Sequence, residues 1–137
     1  MASLATAAVF VWLGMVLAIS FLEAPLKFRA PGVTLALGLG IGRLVFRALN
    51  ACEVVLAAVV LSAVLVSHQA APVLTASLAT AAVFAIQLVF VRPALIRRSD
   101  QVLAGSDGPR SHAHYVYVAL EMVKVVALLI AGTLLLN

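Results

Sequence analysis

Four apolar runs, each close to the length of a membrane crossing and almost free of charge, decide what this chain can fold into. A helix that crosses the hydrocarbon core needs about 20 mostly apolar residues. The first run extends from about Leu4 to Leu22 and ends at Glu23-Ala24-Pro25-Leu26-Lys27. The second lies between Arg47 and His68, broken only by Asn50, Glu53 and Ser62. The third goes from about Val73 to Val91 and stops at Arg92-Pro93, and the fourth from about His114 to Leu136. Barrel strands would alternate apolar and polar residues over short segments, whereas these runs are continuous. The expected fold is therefore all-α: one four-span, up-and-down transmembrane bundle over residues 1–137.

Composition closes the other routes. Of 137 residues, 65% are hydrophobic and 10% charged, against roughly 45–50% and about 25% in soluble domains. A soluble enzyme, a DNA-binding domain and a disordered chain are excluded. The pI near 10.0 reflects basic loops, not nucleic acid. The first span lacks a basic leader and is too long for an ordinary signal-peptide core, so it reads as a span that stays. Cys52, the single cysteine, lies in an apolar run and reads as a buried, inert thiol.

The basic residues orient the bundle. Lys27, Arg29, Arg43 and Arg47 lie between the first and second spans, and Arg92, Arg97, Arg98 and Arg110 between the third and fourth. Both tails and the turn at His68 carry no Lys or Arg. By the positive-inside rule both basic loops are cytoplasmic and both termini lie outside. Between the first two spans, Gly38 and Gly42 form a G-x-x-x-G that would suit close helix contact. The simpler reading of this Gly-rich stretch, Val33 to Gly42, is a bent interfacial segment.

Three ionisable residues, Glu53, Glu121 and Lys124, fall inside spans, where charge costs at least about 2.5–3.5 kcal/mol and normally turns inward to a partner. Helix rise puts Glu53 roughly 22 Å from His68, Gln87 about 22 Å from Pro72 and Glu121 roughly 24 Å from Asn137. Three helices thus bring a carboxylate or carboxamide to one level. Arg43, Arg47, Asn50 and Glu53 share a helical face, as do His114, Tyr117, Glu121 and Lys124, and Glu23 and Lys27 form an i, i+4 pair. The expected intramembrane polar site is Glu53, Gln87, Glu121 and Lys124. Glu23, Lys27, Arg43 and Arg47 stand at its cytoplasmic mouth, with Asn50, His114 and Tyr117 in support. The group reads either as structural glue, Lys124 neutralising Glu121 or Glu53, or as a proton or cation pathway or a small-ligand pocket.

No P-loop, nucleophile elbow or H-E-x-x-H is present, and no cofactor or metal is expected. His112 and His114 diverge on a helix and His68 belongs to the far face. Trp12 reads as a packing residue.

The run Phe21-Leu22-Glu23-Ala24-Pro25-Leu26-Lys27-Phe28-Arg29, followed by Gly42-Arg43-Leu44-Val45-Phe46, resembles small four-span bacterial inner-membrane proteins related to the vertebrate transmembrane-protein-205 family. Arg92-Pro93 and His114-Tyr115 fit that pattern more loosely. The resemblance implies a multi-pass protein of a bacterial inner membrane. In related copper-resistance-like proteins His and Met would carry metal; the three Met and diverging His of this chain do not reproduce that set. Two functions stay open. One is a small transporter or channel-like protein using the carboxylates. The other is a non-catalytic accessory or assembly subunit of a larger membrane complex. Separately, a polar seam in so few helices is expected to need a second copy to bury it, which makes the chain a homo-oligomer.

Overall fold

The computed structural model describes residues 1–105 and 112–137. Among them are four helices long and apolar enough to cross a membrane, and no strand. These are α1 (Ala2–Arg29), α2 (Leu35–Val66), α3 (Ala71–Leu103) and α4 (His112–Leu136). Only about a third of each span is buried within the chain. The outward faces remain apolar, with Leu44, Val55, Phe90 and Val126 all exposed. Water would not tolerate so continuous an apolar exterior, and lipid would. The chain is a multi-pass membrane protein.

The helices are longer than the apolar runs, and each extension has a local cause. Proline lacks an N–H and its ring crowds the carbonyl four residues back, which normally breaks a helix. Here the turn before each proline widens instead: Leu17–Glu23 and Gln87–Val91 are π-helical. The N–H of Ala24 bonds the carbonyl of Ile19, and that of Arg92 the carbonyl of Gln87, each five residues back. Pro25 and Pro93 are thus absorbed, and the expected stop at Arg92-Pro93 does not occur. The Gly-rich stretch is not a bent interfacial segment either. Thr34 caps α2, its hydroxyl accepting from the Leu37 N–H at 3.1 Å, and the helix runs unbroken from Leu35. Gly38 and Gly42 serve close approach: a Cβ at Gly38 would strike the Phe28 ring, and one at Gly42 would lie 3.0 Å from Lys27 Nζ.

At the other end of α2, His68 takes a left-handed conformation with φ of 50°. The N–H of Gln69 bonds the Val64 carbonyl and that of His68 the Leu65 carbonyl. This is a Schellman closure with histidine in the place glycine usually fills.

α1 packs on α2 and α4, and α3 packs on α4 and α2. Exchanging the hairpin α1–α2 with the hairpin α3–α4 leaves that set of neighbours unchanged. Most buried positions obey the same exchange at a separation of 68 residues. Ala5, Ala8, Val9, Trp12 and Val16 of α1 correspond to Val73, Ala76, Ser77, Thr80 and Phe84 of α3, all buried. Leu49, Glu53, Val60, Ala63 and Val64 of α2 correspond to Tyr117, Glu121, Leu128, Ala131 and Gly132 of α4, again all buried. Helical periodicity alone would align one pair of helices at some offset. It would not align both pairs at one offset together with Pro25 and Pro93, the two π-helical bonds, and Glu53 and Glu121. The bundle is one hairpin plan used twice.

Candidate functional site

The two corresponding glutamates meet between the hairpins, and Lys124 joins them. Its Nζ lies 2.5 Å from Glu53 Oε2, 2.6 Å from Glu121 Oε1 and 2.9 Å from Gln87 Oε1. Lys124 and Glu53 are wholly buried, and Glu121 is 1% exposed. The carboxylate oxygens are treated unequally. Trp12 Nε1 donates to Glu53 Oε2 at 2.8 Å, and the Ser20 hydroxyl donates to Glu121 Oε2 at 2.8 Å. Gln87 Nε2 reaches Glu121 Oε1 and the Tyr117 carbonyl, each at 3.5 Å. Glu53 Oε1 is buried without a hydrogen-bond partner. Phe84 closes one side, its ring centroid 5.4 Å from Lys124 Nζ and edge-to-face with Trp12 at 6.1 Å.

The repeated plan explains where these groups come from, and two departures from it explain the chemistry. Lys124 stands where the first hairpin has Leu56, and Gln87 where it has Ile19. Symmetry supplies two carboxylates; asymmetry adds a single cation and a carboxamide. Both π-helical turns contribute, Ser20 from the first and Gln87 from the second. Such turns often mark working sites, because the extra residue re-aims a side chain.

Glu121 also lines a cavity of about 400 Å³. On α4 its wall runs from His114 through Tyr117 and Val118 to Glu121, roughly 10 Å along the axis. Phe21, Phe28 and Phe46 line it, and Lys27, Arg43 and Arg92 bring it three cations. Corresponding residues of the two hairpins both line it, Ala24 and Arg92 as well as Phe46 and His114.

Of the residues expected from sequence, Glu53, Gln87, Glu121 and Lys124 form one contact set. Lys27, Arg43, His114 and Tyr117 join Glu121 on the cavity wall. Glu23 pairs with Lys27 at 3.7 Å. Arg43 is tied across to α3, its Nε donating to Ser99 Oγ at 3.1 Å and its Nη2 pairing with Asp100 and the Ile96 carbonyl. Arg47 is exposed and Asn50 half-buried, and neither reaches the cluster or the cavity. Cys52 is exposed, contrary to expectation, because the residue next to inward-facing Glu53 turns about 100° away from it.

Three participants are not evident from sequence. Trp12 resembles packing because nothing in an apolar run advertises an indole N–H donor. Ser20 resembles a tolerated small residue. Arg92 resembles the charge that ends a span, and the absorbed proline instead carries it, half-buried, onto the cavity. The fold and site define a polytopic membrane protein with a buried, unequally charged cluster under a basic cavity. No family model, curated protein or solved structure matches the chain.

Proposed function

We propose that the chain is a small bacterial inner-membrane transporter in which Glu53, Lys124 and Glu121 hold and pass on a proton. The observation that carries this reading is the double membership of Glu121. It belongs to the sealed cluster and to the wall of the cavity, so it connects a sealed charge store to an open space.

Charge supports the same reading. Two carboxylates face one ammonium, and all three ammonium donors are already engaged. A bound proton neutralises the set, and Glu53 Oε1 is the oxygen open to receive it. Intramembrane acids arranged in this way are typical of proton relays. Architecture adds to it: transporters are commonly built from internal repeats with the ion site at the repeat interface, and they work by rocking one repeat against the other. The basic residues favour an up-and-down bundle with both termini outside and the cavity open to the cytoplasm. An accessory subunit would dock its polar stripes onto a partner, but here their innermost members, Glu53, Tyr117, Glu121 and Lys124, are buried inside the chain.

The test is proton movement in proteoliposomes with an entrapped pH dye and an imposed potassium diffusion potential. Glu121→Gln and Glu53→Gln are expected to lower the rate at least about a hundredfold, the lower end of what a positioned proton-transfer group contributes, with Arg47→Gln unchanged. Wild-type rates in both carboxamide variants would sink the proposal.

A further inference from the structure

The cavity has a chemical bias of its own that proton handling does not explain. Its rim brings together Lys27, Arg43 and Arg92, and the acids near them are Glu23 and Asp100. The balance at that level is one positive charge. Arg43 is already committed to Asp100, Ser99 and a backbone carbonyl. Lys27 is held only loosely by Glu23, at 3.7 Å. Arg92 makes no ion pair among the described residues; its guanidinium lies 5.3 Å from the Phe46 ring centroid. Lys27 Nζ lies 5.9 Å from the same ring. Two under-committed cations therefore converge on one aromatic residue, half out of water, where an anion would be held strongly.

The space beside them is too large and too apolar for a bare ion. At about 400 Å³ it exceeds the share of a single water, about 30 Å³, by an order of magnitude. It falls in the range of pockets that enclose organic ligands. Phe21, Phe28 and Phe46 form its wall. A cationic ligand is disfavoured because the rim is positive and Glu121 is already engaged by Ser20 and Lys124.

We propose that this cavity binds an amphiphilic monoanion, its single charged head group on Arg92 and Lys27 and its apolar body along Phe21, Phe28 and Phe46. Arg92 is the specificity-determining residue. The planar guanidinium grips a carboxylate, sulfonate or phosphate ester by two parallel hydrogen bonds, and its counterpart in the first hairpin is Ala24, which offers none. The inference rests on the transport reading for what becomes of the bound anion, not for whether it binds.

The experiment is calorimetric titration of the full chain in phosphatidylcholine discs with 1-octanesulfonate, a permanent monoanion, with empty discs subtracted. Methanesulfonate lacks the apolar body and octyltrimethylammonium reverses the charge; both are expected to bind at least tenfold more weakly. Arg92→Gln is expected to weaken 1-octanesulfonate about tenfold, Lys27→Met less, Arg92→Lys less than Arg92→Gln, and Arg47→Gln not at all. Discs containing phosphatidylglycerol separate the sources. Competition there makes the ligand a lipid head group, and its absence makes it a free amphiphile; both keep the assignment. Equal binding of octyltrimethylammonium overturns it. So does wild-type affinity in Arg92→Gln and Lys27→Met proteins that retain their helix content. Lost anion binding with Glu121-dependent proton flux intact would remove this inference alone, and the reverse result would remove only the transport reading.

Discussion

An ammonium has three N–H donors, and Lys124 directs them to Glu53, Glu121 and Gln87. Removing one member of a buried ion pair leaves a charge with neither water nor partner and costs about 3–5 kcal/mol, whereas replacing the whole set by neutral groups of similar size is close to neutral. Lys124→Met should therefore destabilise the protein by about that amount, and the triple change Glu53→Gln, Glu121→Gln, Lys124→Met should recover most of it. Trp12 is the single tryptophan and bonds Glu53 directly, so its fluorescence during detergent-induced unfolding reads both. A Lys124→Met protein as stable as wild type would show that the cluster is already neutral without the lysine. The charged members of this site were legible in the sequence because an ionisable group in an apolar helix has few places to turn. Trp12, Ser20 and Arg92 were not, since a hydrogen-bond donor among apolar neighbours and an arginine before a proline each have an ordinary explanation.

Each hairpin places a π-helical turn just ahead of a proline, Leu17–Glu23 before Pro25 and Gln87–Val91 before Pro93. If the missing proline N–H opens the turn, an alanine there would supply a donor to the carbonyl four residues back and let the helix tighten. Pro25→Ala should then slow amide exchange across Leu17–Glu23 by about fivefold, the worth of roughly one net hydrogen bond. It should also swing Lys27 and Phe28 off the cavity, since one residue removed from a turn rotates the rest of the helix by about 100°. Hydrogen exchange followed by mass spectrometry checks the first effect; unchanged exchange would assign the turn to the Ser20–Glu121 bond instead. Spans read from hydropathy end at such prolines and glycines, which is why the runs were legible and the true helix ends were not. Literal identity is a poor guide here too. Ala-Ser-Leu-Ala-Thr-Ala-Ala-Val-Phe occurs at 2–10 and again at 76–84. That spacing is six residues out of the structural correspondence, so Phe10 is 37% exposed while Phe84 is 5% exposed. The repeat that matters is one of burial and geometry, visible only once the helices are packed.

At the scale of the molecule, two hairpins of one plan are joined, among the described residues, by two ion pairs of different worth. Lys124–Glu53 is wholly buried, whereas Arg43–Asp100 has side chains 34% and 61% exposed. An exposed pair contributes about 0–1 kcal/mol, while breaking the buried one costs several times that. The apolar contacts between hairpins add little preference, because lipid tails are as apolar as the helix faces they would replace. The buried pair should therefore decide whether the halves stay together. Residues 1–68 and 69–137, expressed as two chains in one cell, divide the protein within the turn that follows Val66 and leave every helix intact. They are expected to purify together in mild detergent through a tag on either one. Asp100→Asn in the second chain should leave the recovered partner unchanged, and Lys124→Met should remove most of it. If Asp100→Asn released the partner as fully as Lys124→Met, the hairpins would be held at their basic end. The cluster would then be a site the bundle encloses rather than the joint that holds its two halves together.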